Sequence, residues 1–131
     1  MSTPVPESHH DILAAKGLAF LATVRDQRPN VSPTWYLWDA EQGHLLISLT
    51  DRRQKYRNLV REPHVAACLI PPDDQYRYIE IRGRVEFTPD TDHEVVDALA
   101  LKYLGRESYE HNPEEGNRVV ARVVPDYVRC R

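Results

Sequence analysis

Apolar and polar residues alternate most regularly between positions 79 and 87, where Ile79, Ile81, Gly83, Val85 and Phe87 interleave with Glu80, Arg82, Arg84 and Glu86. A period of two places the sets on opposite faces of a strand, one buried and one wet. Residues 18–24 are apolar on both faces and end in a polar turn over 25–29, which predicts a buried strand entering a hairpin. The partner strand is expected over 30–39. Pro33 cannot donate to a ladder, so that strand should lie at an edge or carry a bulge near residues 32–34. Further strands are predicted at 44–50, with Leu45, Ile47 and Leu49 on one face, at 64–70 and at 118–124.

The spacing changes to a helical one in three places. Residues 9–16 form the first, with Ser8 as its cap, Ile12 and Leu13 inward and Gly17 as its stop. Residues 51–61 form the second, capped by Asp51, with Tyr56, Leu59 and Val60 inward and Pro63 beyond the end. Residues 91–103 form the third, with Val95, Val96, Leu99 and Tyr103 on its stripe, and the polar stretch 105–117 reads as a loop. Six short strands without strand-helix-strand alternation argue for a mainly β fold, a six-stranded antiparallel barrel with peripheral helices. Nothing divides the chain, so residues 1–131 are expected to form a single domain with a flexible lead over 1–8.

Composition narrows the function. The chain has 131 residues, 41% apolar and 28% charged, with a formal net charge of −3, the profile of a soluble domain. No apolar run approaches the roughly 18 residues of a membrane span. No Lys or Arg precedes the first apolar stretch as in a secretory leader, so a cytoplasmic location is expected. A pI near 6.1 argues against a nucleic-acid partner. Cys68 lies in an apolar run and reads as a small core residue, and Cys130 is penultimate, so no disulfide framework is expected. The five glycines are too widely spaced for a dinucleotide-binding or P-loop motif.

Residues 52–61 carry five cations and no acid. On a helix Arg53, Arg57 and Arg61 share one stripe and Lys55 and Asn58 another, beside the free N–H groups of the first turn. Such an arrangement suits a phosphate, although a solvated helix face has the same pattern. The six histidines offer no ligand pair at metal spacing, and no glycines bracket a serine nucleophile. Trp35, Tyr36 and Trp38 crowd one segment, and Tyr76 and Tyr78 precede the clearest strand. They suit a flat ring, or equally a core or subunit contact. A phosphate site and a ring site without an acid, base or nucleophile fit a bound redox cofactor, and no catalytic side chain is assigned.

Two stretches carry a resemblance: Leu18-Ala-Phe-Leu-Ala-Thr-Val-Arg-Asp-Gln-Arg-Pro-Asn-Val-Ser-Pro-Thr-Trp-Tyr and Arg53-Gln-Lys-Tyr-Arg-Asn-Leu-Val-Arg-Glu-Pro-His-Val-Ala. They resemble the pyridoxamine 5′-phosphate oxidase-like split β-barrel family and, within it, the F420-dependent flavin/deazaflavin oxidoreductases. The resemblance implies an FMN-binding type of split barrel and a homodimer with a cofactor in the dimer groove. It implies that Arg53 and Lys55 hold the cofactor phosphate, with Asn58 as a helper or a helix anchor. Ser32, Thr34, Trp35, Leu49 and Thr50 would line the ring and ribityl chain, and Tyr76 and Tyr78 would reach across from the partner. Arg57, with Arg52, Arg61, Arg25 and Arg28, would suit the anionic tail of F420. The implied activity is hydride transfer from reduced F420 to a small unsaturated organic substrate. The family's Arg-x-His pattern is absent from residues 126–131, which points away from pyridoxamine phosphate as that substrate. The alternatives are an FMN-dependent enzyme of the same fold and a non-catalytic protein binding flavin, F420 or haem, with His9, His10 or His64 as haem ligands.

Overall fold

The computed structural model describes residues 3–131. Its centre is an antiparallel sheet of β1 (Leu18–Arg25), β2 (Arg28–Thr34), β3 (Leu37–Asp39), β4 (His44–Thr50), β5 (His64–Ile70), β6 (Ile79–Pro89) and β7 (Arg118–Cys130), flanked by α1 (His10–Ala14), α2 (Gln54–Arg61) and α3 (Glu94–Leu104). The spatial order is β2-β1-β5-β6-β7-β4-β3. Seven strands stand where six are expected, and their hydrogen bonding does not close into a ring.

Both differences arise at Trp35 and Tyr36. The single strand expected over 30–39 is two strands, at opposite edges of the sheet. Tyr36 leaves the ladder because its ring is fully buried and its hydroxyl donates to the Ile12 carbonyl at 2.6 Å. Three residues of extended chain reach only about 10 Å, so the sheet must curl until its edges come near each other. The seam between them stays open.

Local chemistry sets the rest. Asp26 and Gln27 have φ of 50° and 64°, the left-handed pair of a two-residue hairpin turn between β1 and β2. Pro33 faces Phe20 in unbroken register on an edge strand, where its missing N–H costs nothing. The irregularity lies instead between β6 and β7, where Arg82 faces Tyr127 and Gly83 faces Pro125. A Cβ on Gly83 would strike the Val124 carbonyl, so only glycine permits this approach. The bulge carries β7 past Pro125 to Cys130, beyond the expected end at 124.

The inner face of the sheet supplies most of the core, and Ile12, Leu13 and Leu59 close it from α1 and α2. Neither expected cap forms. Ser8 Oγ bonds to His9 Nδ1 at 2.8 Å, and Asp51 accepts from Asn117 instead of from α2. Val60 is 58% exposed because α2 turns Asn58 and Leu59 inward. Tyr56 packs on Phe87 at 4.9 Å between ring centres. Cys68 falls on the outer face, opposite Phe20 and Glu80, and is half-buried rather than in the core. In the lead, Thr3 donates to the Pro125 carbonyl at 2.8 Å and Val5 is buried. The part of the flexible lead at residues 1 and 2 lies outside the described residues. Among the described residues no helix is long and apolar enough to cross a membrane.

Candidate functional site

The open seam and the start of α2 come together beside β4. Strand β3 pairs only with His44, Leu45 and Leu46, which leaves residues 47–50 without a strand neighbour on that side. The chain then turns through Arg53, whose N–H donates to the Thr50 carbonyl at 3.2 Å, into α2. Asn58 fixes this helix to the sheet. Its Nδ2 donates to Thr23 Oγ1 at 3.2 Å, and its Oδ1 accepts from Gln54 Nε2 at 2.7 Å. Burial at 3% exposure makes it the helix anchor.

The cations of this segment divide into two groups. Arg52 donates to the Glu114 carbonyl at 2.7 Å, and Arg57 donates to Gln54 Oε1 at 3.4 Å and to the Arg52 carbonyl at 2.8 Å. The Arg53 and Lys55 side chains have no hydrogen-bond or ion-pair partner among the described residues. Lys55 is half-buried, and desolvation, followed by repulsion from Arg53, lowers its pKa below the ordinary lysine value. The flanking acids are engaged elsewhere, Asp51 with Asn117 and Glu62 with His64 at 2.7 Å. Arg53 and Lys55, like the exposed Arg61, therefore have no counter-charge among the described residues.

Arg53, but not Lys55, lines a cavity of about 290 Å³, reached also by Thr34 at the end of β2, by Trp35 just beyond it, by Ser48 from β4, and by Tyr109 and Arg118. Trp35 stacks on Tyr103 with centroids 4.8 Å apart and planes within 3°, and meets Tyr109 edge-on at 6.5 Å. Arg118 is 7% exposed, with its guanidinium 4.9 Å from the Tyr109 ring centre. It reaches Ser48 Oγ at 3.4 Å and Glu115 at 3.6 Å, while its buried Nε has no partner. An unsatisfied buried donor on an arginine is costly, and an acceptor in the cavity would relieve it.

Thr34, Trp35 and Arg53 are thus brought together, and Ser32 lies on the same face of β2, opposite Leu21. Leu49 and Thr50 are sealed in the protein at 0% and 1% exposure, and Ser48 between Ile47 and Leu49 is the β4 residue on the cavity. Tyr78 lies outside it, in a mutual backbone pair with Arg131 at 3.0 Å, and Tyr76 is 82% exposed. Arg61 is exposed, Arg25 pairs with Asp26 at 3.8 Å, and Arg28 sits in a separate cleft with Arg25 and Asn30. The three histidines considered as haem ligands have other partners: His9 bonds to the Arg131 carbonyl, His10 to the Val5 carbonyl and His64 to Glu62. Ser48, Val96, Tyr109 and Arg118 are lining residues that the sequence reading missed. A signal for Arg118 exists in the alternation of β7, where it falls with Val120 on the face opposite the core residues Val119, Ala121 and Val123, the face that also carries Ser48 of β4.

Free cations, a buried arginine with an unused donor and a stacked indole suit a phosphorylated cofactor with a flat ring: Arg53 and Lys55 would hold the phosphate, and Trp35 and Arg118 would flank the ring. The protein class follows from comparison with known proteins. The chain belongs to the pyridoxamine 5′-phosphate oxidase family, which matches residues 5–130. Among solved structures it is similar to a protein named F420 Reductase, with 37% identity, a TM-score of 0.83, and 95% of this chain and 98% of that chain covered. It shares its fold with a conserved hypothetical protein from Mycobacterium tuberculosis, at 23% identity, a TM-score of 0.76, and coverage of 98% and 85%. The same holds for a putative pyridoxamine 5′-phosphate oxidase from Listeria innocua, at 20% identity, a TM-score of 0.74, and coverage of 95% of both chains.

Proposed function

We propose that this chain is an oxidoreductase of the flavin or F420 type that uses F420 and reduces a small unsaturated organic substrate. The observation that carries this reading is the uncompensated cation Arg53 on the cavity holding Trp35 and Arg118, with a second uncompensated cation, Lys55, within electrostatic reach of Arg53. The likeness to the F420 Reductase structure favours F420 over FMN. When bound, F420 supplies hydride transfer. The chain binds the phosphate through Arg53 and Lys55, orients the ring against Trp35, and excludes water with Trp35, Tyr109 and Val96. No side chain is assigned to proton transfer.

The cavity is at the lower limit of ordinary small-molecule sites, about 300–1,000 Å³, so one chain provides part of a groove that a second copy completes. The outer face of β1 and β2 supports this dimer, because Leu18, Phe20 and Val31 are 41%, 37% and 68% exposed there. Tyr76 and Tyr78 are the residues expected to reach the partner's cofactor.

Titration with F420 and with FMN, read by intrinsic tryptophan fluorescence, tests the cofactor, and sedimentation tests the dimer. Tight F420 binding with weak FMN binding supports the proposal. The reverse preference transfers the function to FMN chemistry, and binding of neither overturns the site.

A further inference from the structure

A larger cavity, about 630 Å³, lies beneath α1 and shares no lining residue with the site at Arg53. Tyr36 and Tyr103 separate the two. Trp35 of the first site stacks on Tyr103, while Lys102 of the second rests its ammonium 4.9 Å from the Tyr103 ring centre and 4.0 Å from that of Tyr36. The walls are mainly apolar, from Val5, Leu13, Ala14, Leu37 and Trp38, and Lys102 is the cation that opens onto them.

Lys102 donates one hydrogen bond, to the Tyr36 carbonyl at 2.7 Å, and has no acidic partner among the described residues. An ammonium has three donors, and no acceptor among the described residues takes the other two, which have only the Tyr36 and Tyr103 rings beside them. Half-burial without a counter-charge depresses its pKa to about 8. The other titratable groups around it are Tyr36 and Tyr103 on its flanks, and His10 and Glu41 on the cavity wall. His10 Nε2 is bound to the Val5 carbonyl at 3.0 Å, and Glu41 is solvent-exposed, so neither neutralises the ammonium.

We propose that this cavity is a second ligand site, distinct from the cofactor groove, that takes a small amphipathic monocarboxylate. Its carboxylate pairs with Lys102 Nζ, and its hydrocarbon part lies on Val5, Leu13, Leu37 and Trp38. A carboxylate supplies the missing counter-charge, a neutral ligand leaves the charge uncompensated, and an amine repels it.

Calorimetric titration of the full-length protein near pH 8 with octanoate, octanol and octylamine, in buffers of different ionisation enthalpy, tests the site. Octanoate should bind most tightly and take up protons, because pairing returns Lys102 toward its ordinary, higher pKa. Lys102→Met should weaken octanoate at least about tenfold, as loss of a charge-assisted hydrogen bond implies, and remove the proton uptake. Ala14→Trp places bulk in the cavity from an exposed position and keeps Lys102, so it provides the test if Lys102→Met fails to fold. It should block octanoate while leaving F420 or FMN binding unchanged. The proposal is overturned if octanoate does not bind, binds no better than octanol, or binds either variant as it binds the wild type.

Discussion

The wet face of β6 and the start of α2 are both rich in arginine, yet they differ in electrostatic state. On β6, Arg82 pairs with Glu80 at 2.9 Å and Arg84 with Glu86 at 3.6 Å. On a strand, residues two apart share a face, so the alternation that makes the strand amphipathic also supplies each cation with an acid. Along residues 52–61 there is no acid at any spacing, and the two that flank the stretch are drawn away by Asn117 and His64. Arg52 and Arg57 bind backbone carbonyls nearby, and the side chains of Arg53, Lys55 and Arg61 have no partner among the described residues. Cation density by itself therefore marks no site; of the unpaired cations over residues 52–61, Arg53 is the one that lines the cavity.

The sharpest way to break this contrast is to replace Arg53 and Lys55 together by Met. Each charge-assisted contact is worth ~1.5–3 kcal/mol, so cofactor affinity should fall by about two orders of magnitude or more while the melting temperature holds. Unchanged affinity by fluorescence titration would reduce α2 to a solvated face like that of β6. Asn58→Ala should act on stability instead. It strips Thr23 and Gln54 of buried partners, and chemical denaturation should show a loss of ~1–3 kcal/mol; a neutral result would remove its anchoring role.

Arg118→Met should lower cofactor affinity about tenfold with little loss of stability, since the wild-type Nε is already unsatisfied. A large drop in melting temperature with unaltered binding would make Arg118 structural. Proton linkage gives a smaller effect. Free Lys55 has a lowered pKa, and an anionic partner raises it, so the bound state holds more protons over that window. Affinity should decline as pH rises through the lowered value toward the ordinary lysine value, and Lys55→Met should flatten the profile. A slope that survives in this variant would assign the linkage elsewhere. Smallest of all, Arg84→Ala should leave cofactor affinity unchanged, because an exposed ion pair contributes little; a clear loss would show that the two regions are not electrostatically separate.

Much of the fold was legible because it depends on local periodicity. The alternation in β6 is followed by the structure from Ile79 through Val85, with Phe87 packed at the margin of the core. The edge position of Pro33 followed from its missing N–H. The run of cations and the family were also readable, because residue type and spacing carry them. The helical stripe and the aromatic cluster were not: Arg53 precedes α2 in an extended conformation, and Trp35 meets Tyr103 and Tyr109 while Trp38 lines the other cavity. Capping was not: Asp51 is a good helix cap in isolation, but the loop it meets, with Gly116 at a φ of 98° beside it, offers Asn117 as a competing donor.

What the sequence determined by itself was therefore most of the strands and helices, the surplus of positive charge in residues 52–61 and the resemblance they carry. Only the tertiary structure decided that residues 30–39 split at Trp35 and Tyr36 between opposite sheet edges, that Asn58 faces inward to Thr23, and that Ser48 and Arg118, 70 residues apart, meet in one cavity. The reason is one of range. Periodicity and residue type act over a few neighbours, whereas the meeting of two sheet edges, and the choice of which cation goes unpaired, depend on register between segments distant in the chain.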